Sequence, residues 1–472
     1  MRNLDLDITN PEFNPTHNLI ALCLASFVVV TGFGVVLPFF PLYAEEILFR
    51  FDFLGFFPIG IAFQIGIMTS AFMLTRFFLA PAYGDLSDVS GRKPLILVGM
   101  SIYALLLFGF GLAFDFFSLF LLRALQGIAS AAVWPVGEAL IVDTSTKGTT
   151  GRNLGYYIMS MQAGMTAGPF IGFIFYAGLN GFVGLSPVLS YRFTFICQGV
   201  MGILATAIVA FLVKDPTQAE SETSSMFTSF MIAFKQMARK TIESPKYLVT
   251  TFSSSTAPYR DRNLYTIYLV AVINGFGNAM IFPLIALFLD DYYQLNPEFI
   301  ALVIGIVGIL ALSGNPLGGI LSDKIARKHV VWISGLIRGA SYLFLGIKWG
   351  LLAIVLLFAF QRFLWAIYQP AFRAMQSDFI PEVVRGKEFG IVQALFNLGS
   401  VLGPIIGGML YDYFLDVTFY LNGNVYIGAG VSFALAGILG IIGSITLMVF
   451  VNVRKNSEKL TDILPSVRFS EK

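Results

Sequence analysis

Charge is missing from long stretches of this 472-residue chain. Uncharged runs cover 18–44, 53–75, 94–114, 193–213, 263–289, 299–322 and 389–411, and others are broken by a single arginine. A membrane-spanning helix needs about 20 mostly apolar residues at 1.5 Å of rise each, so each run suffices for one crossing. The stretches 153–191 and 417–453 are longer, enough for one helix plus an outer or flanking loop; the first is interrupted at Leu179-Asn180-Gly181 and at Ser186-Pro187. The pattern predicts twelve spans, numbered 1 to 12 in chain order.

Composition agrees with a bilayer as solvent. Hydrophobic residues make up 56% of the chain and charged residues 12%, against roughly 25% charged in soluble domains. The polar first 17 residues lead into an apolar run too long for a signal-peptide core and without a plausible cleavage site, so 18–44 is retained as span 1. Of 30 Lys and Arg, only Arg50, Arg192 and Lys348 fall on outer loops and five fall within spans, if the N-terminus is cytoplasmic. The rest then lie on the cytoplasmic side, which by the positive-inside rule places both termini there. Cys23 and Cys197 lie inside predicted helices and the two histidines, His17 and His329, are far apart in sequence. No disulfide framework, metal cluster or cofactor is expected.

A ten-residue pattern occurs twice. Gly84-Asp-Leu-Ser-Asp88-Val-Ser-Gly91-Arg92-Lys93 returns as Gly319-Ile-Leu-Ser-Asp323-Lys-Ile-Ala326-Arg327-Lys328, 235 residues later. The same offset links Pro135 with Pro370, Asp143 with Asp378, Gly155 with Gly390, Gly164 with Gly399, Gly168 with Gly403, Pro169 with Pro404 and Gly172 with Gly407. Near the start of each half the offset lengthens, which a longer first outer loop around Glu45 to Phe57 would explain. Six spans per half is an even number, so both halves insert in one orientation, a known transporter arrangement. The expected divisions are an N-terminal half over 1–213, a polar, basic cytoplasmic linker over 214–263, and a C-terminal half with a cytoplasmic tail over 264–472. Within the linker Met226, Phe227, Phe230, Met231 and Phe234 recur at helical spacing, suggesting an amphipathic helix against the membrane surface or the transporter base.

The loop pattern resembles the signature of the major facilitator superfamily, and its degenerate second copy extends that resemblance over the whole chain. The fold it implies is an all-α membrane protein of twelve transmembrane helices in two pseudo-symmetric six-helix halves. In that family the loop aspartate and arginine belong to a network holding one conformational state. By resemblance, Asp88 would sit at the N-terminus of span 11 near Gly386 to Phe389, where an anion complements the helix dipole, and Arg92 would pair with Asp143. The mirror network would use Asp323, Arg327 and Asp378, weakened by Ala326 in place of glycine. Gly84 and Gly319 would allow a neighbouring helix close. A plainer reading of the motif is a positive-inside anchor, with Lys93 as one of its charges.

Arg123-Ala-Leu-Gln126-Gly127 resembles a second signature of the family. Gly164-x-x-x-Gly168-Pro169-x-x-Gly172 resembles a third, linked to antiporters and especially drug:proton antiporters. Glycines four apart also let helices touch, so packing alone is an open alternative, the more so because Gly399, Gly403, Pro404 and Gly407 repeat the spacing.

Charges inside spans carry most of the remaining information. Arg123 lies roughly 9 Å below the outer boundary, where a lone charge costs on the order of 3 kcal/mol. The carbonyls of Gly34 and Leu37, freed by Pro38 and Pro41, are its expected acceptors. Proton coupling or cavity control is its functional reading, and a structural link between spans 1 and 4 the alternative. Arg76 is read as snorkelling to the inner face and Arg338 as structural. Arg362, near mid-membrane in span 10, is read as touching substrate or coupling ion, or else as an interhelical hydrogen-bond donor. Glu138 and Arg373 are equivalent by the 235-residue offset. They suggest an inner gate formed by a Glu138–Arg373 salt bridge that protonation of Glu138 would weaken, unless each pairs within its own half. Phe33, Phe39, Phe40, Trp134, Phe276, Phe282, Trp365 and Tyr368, with Gln126 and Arg362, are the expected cavity lining.

The chain shows no Walker-type phosphate loop and no triad or metal constellation of an enzyme. It is expected to be a secondary active transporter of a small molecule, by resemblance a proton-coupled, multidrug-type efflux antiporter. It is expected to work as a monomer in the lipid bilayer of the cell membrane, with protons as coupling ion and no nucleic-acid partner. Span 1 lacks the acid common in exporters of cationic drugs, and the interior holds five arginines against one glutamate. A carrier for an organic anion or a phosphorylated or lipid-like solute is therefore the alternative, and a non-transporting receptor or scaffold a remote one.

Overall fold

A computed structural model describes residues 15–48, 51–53, 57–145, 149–214, 231–241, 260–380, 385–421 and 424–452. The first half supplies α1 (Pro15–Ile47), α2 (Ile61–Ser90), α3 (Arg92–Leu112), α4 (Phe116–Asp143), α5 (Thr150–Ala177) and α6 (Pro187–Leu212). A linker helix α7 covers 231–241. The second half holds α8 (Arg262–Ile281), α9 (Leu284–Tyr293), α10 (Pro297–Leu312), α11 (Gly314–Lys324), α12 (Arg327–Leu345), α13 (Leu351–Phe379), α14 (Arg385–Tyr413) and α15 (Gly430–Phe450). Eleven of the twelve expected spans are long and apolar enough to cross a bilayer, among them α8 with α9 and α10 with α11 as broken crossings. The remaining one, span 9, is α12, a shorter helix that carries Arg327, Lys328 and Arg338. Helices are the answer lipid demands, because each satisfies its own backbone polar groups.

Local chemistry sets the breaks. The interruption expected at Leu179 to Gly181 is a π-helical turn, Gly178–Phe182. Ser186 then caps α6 with Pro187 at its first position, where a missing N–H costs nothing. Asp115 opens α4 through a capping box with Ser118, whose hydrogen bonds, side chain first and backbone second, hold that carboxyl below the usual carboxylate range. The longer first outer loop is a hairpin, β1 (Phe51–Phe53) with β2 (Phe57–Ile59). A second hairpin, β3 (Thr418–Leu421) with β4 (Asn424–Ile427), precedes α15.

Contacts divide the chain into two compact units: Met1–Leu48 with Ala71–Ser253 and Leu295–Gly305, and Phe49–Ser70 with Ser254–Gln294 and Ile306–Lys472. In the first, α1 packs on α5 and α6, and α3 on α4 and α6. In the second, α8 packs on α14 and α15, and α12 on α13 and α15. The repeated glycines make some of the tightest of these contacts, beside Gly275 of α8, where a Cβ would lie 1.9 Å from the Phe396 carbonyl oxygen of α14. A Cβ on Gly164 would lie 2.4 Å from the Phe27 carbonyl oxygen, and one on Gly168 2.5 Å from the backbone of Gly34. The second copy does the same, with Gly399 at 2.0 Å from the Val272 carbonyl and Gly403 at 2.2 Å from that of Phe276. Gly172 and Gly407 would instead meet side chains, Phe39 and Met280.

The linker helix rests on the first unit. Ala233 and Met237 join its core, and the Tyr83 hydroxyl meets Thr241 Oγ1 at 2.6 Å. Met231 and Phe234 are exposed, while Met226, Phe227 and Phe230 lie outside the described residues. Ala233 and Met237 thus face the unit, while Met231 and Phe234 of the expected apolar face do not.

Gly168→Leu or Gly403→Leu is expected to lower stability by about 1–3 kcal/mol through overpacking, measured as thermal unfolding of the detergent-purified protein. Gly155→Leu and Gly390→Leu, where an added Cβ meets nothing within 4 Å, should leave the melting temperature near wild type. Equal effects at all four positions would contradict the contact.

Candidate functional site

The two loop motifs come first because the sequence marks them. Gly91 caps α3 at φ +87°, a left-handed conformation natural to glycine. Its counterpart Ala326 sits at φ −51°, so the second copy turns without a glycine. Arg92 pairs with Asp143 and also donates to Ser87 Oγ at 3.1 Å. Arg327 pairs with Asp378 and donates to the Ala374 carbonyl at 3.1 Å. The side chains of the first pair are 15% and 30% exposed, those of the second 35% and 40%, so solvent screens the second more. The lysines have a role the positive-inside reading missed. Lys93 Nζ donates to the Ala210 carbonyl at 2.8 Å in the last turn of α6, and Lys328 Nζ to the Val451 carbonyl at 2.5 Å just past α15, each a cation at a helix C-terminus. Asp323 is exposed and lines a cleft of about 390 Å³ with Arg327, Lys328 and Asp378. The side chain of Asp88 and residues 386–387, its expected partners, lie outside the described side chains. At Gly84, where close approach of a neighbouring helix was expected, and at Gly319 an added Cβ meets nothing within 4 Å among the described residues.

In the first unit, Arg123 is buried against the Phe40 ring, 3.6 Å from its centroid, and donates from Nη1 to Gln126 Oε1 at 3.0 Å. This corrects the expected acceptors Gly34 and Leu37: an amide one turn along the same helix and an aromatic face from α1 take their place. Gly127 admits α2, since a Cβ there would lie 2.3 Å from the Phe72 carbonyl oxygen, and Thr75 Oγ1 donates to the Ala124 carbonyl at 2.9 Å. Glu138, on α4, is exposed and acts electrostatically on Arg76 of α2. Arg76 therefore has an acid acting on it from α4 of its own unit, a relation the snorkelling reading did not foresee. Arg373, on α13 of the second unit, is exposed.

The expected cavity lining divides sharply. Phe39 and Phe40 are wholly buried inside the first unit, Phe39 beside Gly172, Tyr176 and Tyr191 and Phe40 beside Phe110 and Arg123. Assigning these two rings to an open cavity is corrected, because they lie on the faces of α1 that pack within the unit. Trp134 joins the core of that unit near Tyr157 and Gly137, and Gln126 is fully buried. Phe33, near Phe72, and Phe276, Phe282, Arg362 and Trp365 are half-buried.

The second unit holds a polar centre in which Arg338, Arg362, Trp365 and Tyr368 had been singled out from the sequence, while Asn274, Gln361 and Tyr342 had not. Arg338 of α12 donates from Nη2 to Asn274 Oδ1 at 2.8 Å, and Asn274 Nδ2 donates to the Tyr368 hydroxyl at 2.8 Å. Arg338 lies 4.3 Å from the Trp365 ring centroid, and Trp365, Tyr368 and Phe372 stack in sequence along α13. Gln361 Nε2 donates to the Tyr342 hydroxyl, and Arg362 acts electrostatically on Tyr342 and Arg338. Asn274 and Gln361 could have been singled out as polar residues deep in apolar spans.

Near the start of α14, Glu388, which just precedes the uncharged run 389–411, is 0% exposed. Arg260, at the end of the linker, donates to Glu388 Oε1 from Nη2 at 2.8 Å and from Nε at 3.2 Å, and Tyr268 donates to Oε2. At the other end of α14, the Asp412 carboxylate accepts from the Ala62 and Phe63 amides at 3.2 and 2.7 Å, capping α2.

The comparisons agree with this architecture. The chain matches the family model of the Major Facilitator Superfamily over residues 22–259 and 267–465 and belongs to that superfamily; it is an integral, multi-pass membrane transporter. It is 27% identical to Multidrug resistance protein 1 of Bacillus subtilis (strain 168), covering 87% of this chain and 93% of that one. It is 23% identical to the Quinolone resistance protein NorA of Staphylococcus aureus, covering 86% and 92%. A bacterial homologue of the human lysosomal transporter Spinster, in an inward-facing and occupied conformation, superposes with a TM-score of 0.71 at 16% identity, covering 94% of this chain and 97% of that one. The inward-open xylose transporter XylE from E. coli gives 0.66 at 15% identity, covering 95% and 100%.

Breaking the Arg260–Glu388 pair by Arg260→Gln or Glu388→Gln is expected to cost about 3–5 kcal/mol, because either change strands a buried charge or its partner. The double change should cost less than the two singles together. Additive losses in thermal melts would show that the two residues do not act as a pair.

Proposed function

We propose that this protein is a proton-coupled antiporter that exports drug-like or amphiphilic compounds across the cell membrane, acting as a monomer with both termini in the cytoplasm. The observation that carries the reading is similarity to a multidrug and a quinolone resistance protein along 86–87% of the chain. Glu138 is the group proposed to carry the proton. It is the acid set well inside the spans of the first half, and Arg76 stands close enough to compete with a proton for its charge. Protonation would release Arg76 and deprotonation would recapture it, so proton movement changes an interaction between α2 and α4. Arg123 and Gln126, bonded to each other inside α4, are proposed to set the polarity on the outer side of that helix. The same reading keeps Arg92 with Asp143 and Arg327 with Asp378 as latches at the cytoplasmic ends of their units, and Arg373 as the counterpart of Glu138 in the second half.

A second reading, a carrier of organic anions, is favoured by one observation. The groups acting electrostatically on Arg338 and Arg362 are tyrosines and, for Arg362, Arg338 itself, with no carboxylate among them. An anionic cargo is compatible with proton-coupled export, so the two readings differ in cargo rather than in mechanism.

Proteoliposomes loaded with a pH dye test the proposal. Addition of ethidium or of an amphiphilic carboxylate is expected to drive proton movement through wild type, and Glu138→Gln should reduce coupled flux at least ~10-fold, the scale of losing one essential proton-transfer group. Unchanged coupled flux in Glu138→Gln would remove Glu138 from the mechanism, and solute movement without protons would remove antiport.

A further inference from the structure

Two arginines stand near the middle of the second unit's spans without an acid. Arg338 is eleven residues into α12 and seven from its end, and Arg362 is eleven residues into α13, so they lie about 10 Å and about 16 Å from the nearer ends of their helices at 1.5 Å per residue. Neither Arg327–Leu345 nor Leu351–Phe379 holds an acid except Asp378, at the far end of α13. Arg338 is 4% exposed, yet only Nη2 is hydrogen-bonded; Nε and Nη1 have no acceptor among the described residues. A guanidinium has five N–H donors, so three are left unused in a buried place. Gln361, fully buried on α13, also leaves its Oε1 without a donor. Buried polar groups are ordinarily satisfied, and exceptions in a native fold call for a cause.

The cation–π contact with Trp365 explains the face of the Arg338 guanidinium but not its edges. A packing role would be served by Asn274 alone. What the unused edges, the second arginine and the adjacent aromatic stack have in common is fitness for an anion joined to an apolar ring. We infer that Arg338 and Arg362, with Tyr342 and Gln361, form a binding site for the carboxylate or similar anionic group of an aromatic amphiphile, whose ring lies along Trp365. Arg338 donates through Nε and Nη1, and Arg362 supplies the second positive charge. The Tyr342 hydroxyl, held by Gln361, is a further donor. A lipid headgroup could offer the same chemistry, but Arg362 lies about 16 Å inside α13 at 1.5 Å per residue, so the assigned occupant is the transported solute. This inference rests on the transport reading above and names the chemical class of its cargo.

The test uses full-length protein in nanodiscs of phosphatidylcholine, with radiolabelled 1-naphthoate and its neutral isostere 1-naphthamide as probes. Wild type should bind naphthoate more tightly than the amide. Arg338→Gln and Arg362→Gln should each weaken naphthoate about tenfold or more, as for a lost charged donor, and change the amide by less than about twofold. Arg338→Lys, which keeps charge but has fewer donors, should fall between. If Arg338→Gln does not fold, the half-buried Arg362 carries the test.

Equal weakening of both probes, or no preference for naphthoate in wild type, overturns the site. Competition by phosphatidylglycerol would make the occupant a lipid and overturn the cargo assignment. Ethidium export measured in parallel separates the two levels of the argument. Export of ethidium without naphthoate binding sinks only the anion site. Arg338-dependent naphthoate binding without proton-coupled movement of either compound upholds the site and sinks the antiporter.

Discussion

Two helix pairs, α1 with α5 and α8 with α14, touch backbone to backbone, and much of each unit is arranged around that contact. In lipid there is no hydrophobic gain from bringing two apolar helices together, since tails are as apolar as leucine. Close van der Waals contact must supply the attraction, and a contact at this range needs glycine on at least one side. Gly164 and Gly168 press on Phe27 and Gly34, and Gly399 and Gly403 on Val272 and Phe276. Pro169 and Pro404 follow in the same register, inside helices that continue through them. The glycine signature is thus accounted for by packing in both halves, and it carries no direct information about which ion or solute moves.

The same scaffold duplicates the two loop-motif turns but not their strength. In each, a lysine reaches the end of the last helix of its half and an arginine pairs with an acid ending the fourth. The first turn adds Gly91 at positive φ and a bond to Ser87. The second manages with Ala326 and leaves its ion pair more exposed. A screened pair contributes little, so these turns differ as latches even though their sequences align.

Span positions, the duplication and the family were legible because each rests on pattern along one chain: uncharged length, a fixed offset, and short motifs. What sat beside what was less so. The partner expected for Arg123 was a carbonyl freed by proline, yet Gln126 lies three residues away on the same helix and Phe40 presents its face. Phe39 and Phe40 were placed in a cavity by the helix they occupy, but the rotation of α1 turns them inward. Glu388 drew no reading in sequence and is fully buried. Each error has one cause. A span's sequence gives its length and depth, while its rotation about its own axis is set by neighbours such as the glycine contacts, which single-chain periodicity in an almost wholly apolar helix does not encode.

Symmetry of the backbone throws the asymmetry of the charges into relief. Both units carry arginine deep in their spans, but Arg76 of the first has Glu138 acting on it, while Arg338 and Arg362 of the second have tyrosines, with Asn274 accepting from Arg338. A titratable acid beside Arg76 gives the first unit a charge that a proton can cancel. The second unit's charge is permanent at any physiological pH, because arginine does not deprotonate there. A proton-driven cycle needs one group that changes charge, and selection of a cargo needs another that does not. On the proposed reading, with the proton at Glu138 and the cargo at Arg338 and Arg362, dividing these tasks between two copies of one fold would avoid a single site in which every proton also altered affinity for the cargo. On that argument the duplicated scaffold matters functionally because its halves have diverged at a few polar positions while keeping the glycine contacts that fix each helix in place.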